Sequence, residues 1–275
     1  MSLYGSTALV TGGSGGIGEA IAVRLAEADA HVWVHYRNSR RNAESVCRRI
    51  TELGGSAETV QADLTDPGEV DGMFARVADH GELDVLVNNA GIYPAEPLLS
   101  MSHEQWRHVF KANTESAFLC LQAAARIMSR DARESDDPSR ARTSRTSMGS
   151  LYRVSPSGPS IINLTSLSVH HPAAAQAHYN ASKAALLSLT RTAAQEFGPL
   201  GIRVNAISPG LIDRPDLSSV WPEGVRSWTS RCPLNRLGTA DDVADACLFL
   251  TTSLASWVSG QELIIDGGIS AAPAY

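Results

Sequence analysis

The sequence predicts an α/β protein: a doubly wound parallel sheet of about seven strands with helices on both faces. Three observations predict it. Short apolar runs, at 7–10, 31–36, 57–62, 83–87, 161–164, 202–207 and 262–265, alternate with helical patterns. A glycine-rich turn, Thr11-Gly12-Gly13-Ser14-Gly15-Gly16-Ile17-Gly18, joins the first run to the first helix. The run Leu83-Asp84-Val85-Leu86-Val87 is almost wholly apolar, as a strand buried on both faces must be.

The 275 residues are enough to bury a large core without disulfides or metals. A hydrophobic content of 43% with 19% charged residues describes a globular chain, and the net charge of −6 argues against a general nucleic-acid surface. Cys47, Cys120, Cys232 and Cys247 are widely spaced with no CxxC, and so read as reduced, mostly buried thiols of a cytoplasmic protein. Strand-like sequence begins at Thr7 without a preceding signal-type segment, and no stretch reaches 18 apolar residues; secretion and a membrane span are not expected.

Taken in order, strand, glycine turn and helix form the context of a Rossmann-type dinucleotide fingerprint. Gly12 would make the tight turn, and Gly16 and Gly18 would allow close approach. The N-terminus of the helix that follows, from Glu19 to about Ala28, would face a pyrophosphate with unpaired N–H groups. The second strand ends in Tyr36-Arg37-Asn38-Ser39, with Arg40 and Arg41 beyond and no carboxylate. An acid there would bind the ribose 2′-OH of NAD and a base the 2′-phosphate of NADP, so NADP(H) is favoured and NAD(H) is possible. A helix over about 40–53 and a third strand precede Asp63-Leu64. Asp66 caps the next helix with Pro67 at its first position. The fourth strand ends in Asn88-Asn89-Ala90-Gly91, and a long helical stretch covers about 102–129.

Residues 160–183 hold the chemistry. An apolar strand breaks into Thr165-Ser166, a loop carries His170, His171 and Pro172, and a helix carries Tyr179 and Lys183. Positions i and i+4 share a helix face, so phenol and ammonium project together, and a neighbouring cation lowers a phenol's pKa toward use as a general acid/base. His170, His171 and His178 have no carboxylate or thiol at helpful spacing; no metal is assigned to them, and they are expected to shape the wall of the substrate cleft.

These motifs, in this order, resemble the short-chain dehydrogenase/reductase family, compact single-domain type, over almost everything from Thr7 to Gly268. The carriers are the TGxxxGxG run at 11–18, Asp63-Leu64, NNAG at 88–91, Asn113, Ser166 thirteen residues before Tyr179, YNASK at 179–183, and Asn205 with Pro209-Gly210. Within the family the chain resembles 3-oxoacyl-carrier-protein reductase-like ketoreductases. The resemblance implies an NAD(P)-dependent oxidoreductase transferring a hydride between NADP(H) and a ketone/secondary-alcohol pair. An NAD-dependent dehydrogenase of a sugar, sterol or other secondary alcohol is the alternative, and a non-catalytic NAD(P)-binding regulator a more distant one.

By the same resemblance, Asn113, Ser166, Tyr179 and Lys183 are catalytic. Tyr179 would exchange the proton, and Ser166 would bond the same oxygen. Lys183 would lower the Tyr179 pKa and hold the nicotinamide ribose, and Asn113 would anchor a relay water. Gly12, Ser14, Gly16, Ile17 and Gly18 would meet the cofactor phosphates, Arg37 the 2′ position, and Asp63 and Leu64 the adenine. Asn89, Ala90 and Gly91 would line the channel, and Pro209, Gly210 and Ile212 would close over the nicotinamide. A homo-oligomer, dimer or tetramer, is implied, pairing the helices near 102–129 and 176–197. Two positions depart from the pattern: Gly15 stands where NADP-preferring relatives often carry a base, and Arg214 where a Thr is common.

A single domain is expected, with a low-complexity surface insertion at about 130–158, rich in Arg, Ser, Asp and Pro. A substrate lid is expected at about 213–238, where Trp221 and Trp228 either stack on substrate or pack the lid down. Asp241-Asp242 would cap a last helix running through Leu250.

Overall fold

The computed structural model describes residues 2–135 and 158–271. Seven strands, β1 (Thr7–Val10), β2 (His31–Tyr36), β3 (Ser56–Gln61), β4 (Val85–Asn88), β5 (Ser160–Leu164), β6 (Arg203–Pro209) and β7 (Glu262–Ile265), form one sheet in the order β3-β2-β1-β4-β5-β6-β7. Every pairing is parallel. The helices are α1 (Gly16–Glu27), α2 (Arg40–Glu52), α3 (Pro67–His80), α4 (His103–Phe110), α5 (Ser116–Ser135), α6 (Ala177–Phe197), α7 (Leu217–Val220), α8 (Pro222–Arg231) and α9 (Ala240–Thr251).

Alternation along β1 separates two cores. Ala8 and Val10 join the side covered by α1, α2 and α9, with Ile21, Val34 and Val243; Leu9 joins the other side, with Trp33, Leu86, Phe74 and Met128 from α3 and α5. Period-two side-chain direction in a strand with both faces covered makes this the required arrangement. Because β1 lies between β2 and β4, the sheet reverses its winding there, and the ends of β1 and β4 open a crevice at the carboxyl edge.

Asp66 caps α3 as expected, accepting from Gly68 N and Glu69 N, with Pro67 at the first position. Four local expectations are corrected. The stretch near 102–129 is not one helix: α4 and α5 are joined by a π-helical turn, Lys111–Glu115, with Asn113 at its centre. α5 runs on to Ser135, so the segment read as an insertion from about 130 begins as helix; its remainder, 136–157, lies outside the described residues. The cap of α9 is Thr239, not Asp241-Asp242; its hydroxyl accepts from Asp242 N while the Asp242 carboxylate accepts from Thr239 N. Finally, much of 213–238 is helical, as α7 and α8. Among the described residues no helix is long and apolar enough to cross a membrane. All four cysteines are free thiols, three of them buried.

Candidate active site

The glycine turn sits where β1, β2 and β4 end together. Gly12 and Gly16 hold φ of +62° and +57°, a region costly to any residue with a Cβ. The turn is tied from three sides. Thr11 Oγ1 accepts from Asn89 N (2.9 Å) and Ala90 N (3.1 Å), and Asn89 Nδ2 donates to the Thr11 and Gly12 carbonyls. Gly12 N donates to His35 Nδ1 at 2.9 Å, which leaves His35 Nε2 as the donor to Ala62 O at 3.0 Å. Burial pushes the His35 imidazole down to about 4, so it stays neutral in this bridge.

The cradle fits a dinucleotide phosphate. The N-cap of α1 is Gly15, which has no side chain to cap it, so the helix's first N–H groups are left for a ligand, and a Cβ at Gly15 or Gly16 would meet nothing within 4 Å. Gly18 differs: its Cβ would lie 2.3 Å from Gly12 O, so this glycine lets α1 pack on the turn and does not line the groove. A hollow of about 350 Å³ beside the cradle is lined by Ser14, Arg37, Asp63 and Leu64. It shares Gly12, Ala90, Gly91 and Ile92 with a larger cleft of about 510 Å³ that also takes in Ile17 and Asn89. Arg37 is exposed at the rim with Asn38 and Ser39; Arg40 is engaged with Glu44 at 2.8 Å. Thr65 N and Oγ1 both donate to Asp63 Oδ1, and those bonds with the nearby Arg37 and Lys111 charges hold that carboxyl below the usual range.

At the inner end of the larger cleft stand Ser166, Tyr179 and Lys183. Ser166 follows β5, where the chain leaves the sheet, and its hydroxyl bonds the Tyr179 phenol and accepts from Ser168 N at 3.1 Å. Tyr179 and Lys183 come from the first turns of α6. Lys183 is buried, donates to Leu164 O at 2.6 Å, and lies 6.0 Å from the Tyr179 ring centroid. Desolvation drops the ammonium to about 8. Tyr179 moves opposite to expectation: burial raises it, the Ser166 bond lowers it less, and Tyr93 raises it further. Lys183, itself destabilised as a cation by burial, does not outweigh that desolvation. Asn113, fully buried in the π turn, donates through Nδ2 to Ile92 O (2.9 Å) and Ser182 Oγ (3.1 Å) and accepts from Ile92 N (2.7 Å). Its carboxamide thus clamps the chain after Gly91, leaving one acceptor lone pair.

Pro209, Gly210 and Ile212 lie along the other cleft wall with Arg214. Trp228 packs down on the body: a Cβ at Gly210 would stand 2.8 Å from its ring. Trp221 is instead 52% exposed. Arg214 reaches across the mouth, bonding the Tyr93 hydroxyl and lying over the Tyr93 ring at 5.2 Å. The histidines do not form the cleft wall. His178 lies on α6, fully buried, accepting from Tyr179 N; His170 pairs with Glu262 at 2.7 Å; His171 is exposed. Ser168 and Gln176 line the cleft in their place.

The chain matches two family models, "short chain dehydrogenase" over residues 6–135 and "Enoyl-(Acyl carrier protein) reductase" over 144–270. It is 36% identical to an L-rhamnose 1-dehydrogenase (NAD(P)(+)) of Azotobacter vinelandii, covering 98% of each chain. It is 35% identical to the 3-oxoacyl-[acyl-carrier-protein] reductase FabG of Staphylococcus aureus, over 96% of this chain and 97% of the relative. The chain belongs to the short-chain dehydrogenase/reductase family. A crystal structure of a short-chain type dehydrogenase/reductase from Mycobacterium marinum superposes with a TM-score of 0.84 at 32% identity, covering 98% of each chain. This short-chain dehydrogenase/reductase is an NAD(P)-dependent oxidoreductase acting on a small molecule.

In this short-chain dehydrogenase/reductase three contributors had no sequence signal of their own. His35 reads as an ordinary strand residue, and only the β2–β3 register brings it between Gly12 and Ala62. Thr11 could be read as part of the turn but not as the hydroxyl that latches Asn89 and Ala90. Tyr93 lies in an irregular stretch after Gly91, and its T-shaped contact with Tyr179 at 6.3 Å depends on the path the chain takes there.

Proposed function

We propose that the protein is an NADP(H)-dependent oxidoreductase that interconverts a ketone and a secondary alcohol, working in the carbonyl-reducing direction. The observation that carries this reading is the meeting of Ser166, Tyr179 and Lys183 at the inner end of a cleft that continues into the glycine cradle. Gly12, Ser14, Gly16 and Ile17 would hold the cofactor phosphates, Asp63 and Leu64 the adenosine, and Asn89, Ala90 and Gly91 the channel. Lys183, Pro209, Gly210 and Ile212 would hold the nicotinamide end. The bound nicotinamide supplies a hydride in reduction and accepts one in oxidation.

Tyr179 gives its phenolic proton to the substrate oxygen in reduction. Its raised pKa supports that direction, because the group stays protonated and ready to donate near neutral pH. Ser166 places a second donor on the same oxygen, where negative charge develops. Lys183, lowered to about 8, is a proton source matched to replenishing the phenol, with Asn113 beside it fixing the Ile92 backbone. Tyr179→Phe should abolish turnover while NADPH still binds, as read by absorbance at saturating substrate and by NADPH fluorescence titration. Near wild-type rates in the Phe variant would refute the acid/base assignment.

The preference for NADP(H) is supported by the rim at 36–39, which offers Arg37 and no carboxylate. Comparing kcat/KM for NADPH and NADH across a ketone and alcohol panel tests it; Arg37→Ala should erase the preference. A second reading is NAD(H)-dependent oxidation of a sugar or other secondary alcohol: Gly15 favours the cofactor, and the printed name of the Azotobacter relative, an L-rhamnose 1-dehydrogenase that takes NAD(P)(+), favours the sugar. At least tenfold better turnover with NADH would select it. We also propose a cytoplasmic homo-oligomer pairing helices around α5 and α6, where Phe118 is 42% exposed. Light scattering on the eluted peak would read its size.

A further inference from the structure

A second cluster of chemistry-bearing side chains lies at the opposite edge of the sheet, where the strands begin. The register pairs His31 with Ser56 and Trp33 with Glu58, and alternation turns all four side chains to the α3 face. His80, the last residue of α3, comes down on the same spot. Its ring stacks on His31 with centroids 4.4 Å apart and planes 17° from parallel, and buried Trp33 holds both imidazoles edge-on at 5.8 and 5.5 Å.

We propose that His31, Glu58 and His80 form a binding site for one divalent cation of the zinc type, remote from the catalytic cleft. One ligand atom from each residue lies within 4.8 Å of the others. A tetrahedral zinc holds nitrogen and oxygen ligands about 3.3 Å apart, a contraction that small side-chain rotations of the two solvent-accessible residues, Glu58 and His80, supply. The chemistry fits in two further respects. His31 Nδ1 lies 2.8 Å from Ser56 Oγ, and with that nitrogen as donor the lone pair falls on Nε2. Nε2 is buried and has no hydrogen-bond partner, the arrangement by which an outer hydroxyl orients a metal-binding imidazole. Glu58 divides its oxygens: Oε1 is 3.6 Å from His80 Nδ1, while Oε2 faces Arg76 at 3.9 Å, which keeps that guanidinium off the ligand side. Two imidazoles and one carboxylate are a borderline donor set that suits zinc over magnesium or calcium, with water completing the fourth position. The bound ion would pin edge strand β3 and the start of β2 to the end of α3.

Chelator-treated, tag-free full-length protein would be titrated calorimetrically with ZnCl2, and with CoCl2 while following visible absorption and tryptophan fluorescence. The expected result is one equivalent per chain, a raised melting temperature, and quenching by Co²⁺ that is reduced in Trp33→Phe. His80→Gln and Glu58→Gln should each weaken zinc at least tenfold, while His170→Gln binds as wild type. His80 is exposed at a helix end, so its variant keeps the fold, and its turnover with NADPH should match wild type. Absence of binding, or zinc affinity unchanged in both His80→Gln and Glu58→Gln, overturns the site.

Discussion

His35 gives the protein a pH dependence that starts at a single ring. The native imidazole is lowered to about 4 from the ordinary 6.5, because it is buried and its Nδ1 must stay free to accept from Gly12 N. Between these values the unfolded chain binds a proton that the native chain refuses. Stability from this residue is therefore complete above about pH 6.5 and is lost as pH falls toward 4, on the order of 3 kcal/mol in all. Urea unfolding across that window should show a steeper fall in wild type than in His35→Gln; equal slopes would refute the linkage. The glycines differ just as sharply one by one. Gly18→Ala would drive a Cβ to 2.3 Å from Gly12 O and 2.5 Å from Asn89 Nδ2, costing about 1–3 kcal/mol and weakening NADPH binding, whereas Gly15→Ala, in extended backbone with open space, should fold as wild type. Thermal melts and NADPH titration of the pair check this. Spacing alone placed Tyr179 and Lys183 on one face. It could not place Tyr93 or Arg214, whose partners lie 86 and 121 positions away, nor the direction of the Tyr179 shift, which depends on burial.

At the level of elements, signals carried by two or three adjacent residues were the legible ones. Asp66-Pro67 reads as a helix start because the cap and the missing N–H are local chemistry. At α9 the acidic pair drew attention away from Thr239, although a hydroxyl followed three residues later by a carboxylate is a capping box. Thr239→Ala should cost about 1 kcal/mol and lower the melting temperature by a few degrees, more than Asp241→Ala does; the reverse order would refute the assignment. The π turn at Lys111–Glu115 left no mark, since its residues are compatible with a continuous helix, and only packing against Ile92 and Ser182 makes the extra residue worthwhile. The segment at 213–238 read as a loop because Pro215, Pro222, Pro233 and two glycines, Gly224 and Gly238, break any long period. Pro222, however, opens α8, the helix position proline tolerates best.

Over the whole molecule, alternating strands and helices predicted a parallel sheet, but neighbour order was not contained in any one stretch. β1 is interior only because β4 pairs with the edge of it that β2 leaves free. Neither half of the sheet is complete without the other, and both cores draw on alternate residues of the same strands. Thermal unfolding should accordingly give one transition, with near-ultraviolet and far-ultraviolet circular dichroism superimposing; two separated midpoints would show independent halves. The latch on the glycine turn carries this dependence into synthesis. Asn89 supplies the bonds to Thr11 and Gly12 from 78 and 77 positions downstream. A nascent chain thus exposes its glycine turn early, yet that turn cannot set until β4 has left the ribosome. A chain released before Asn89 carries the glycine turn without the bonds that hold it.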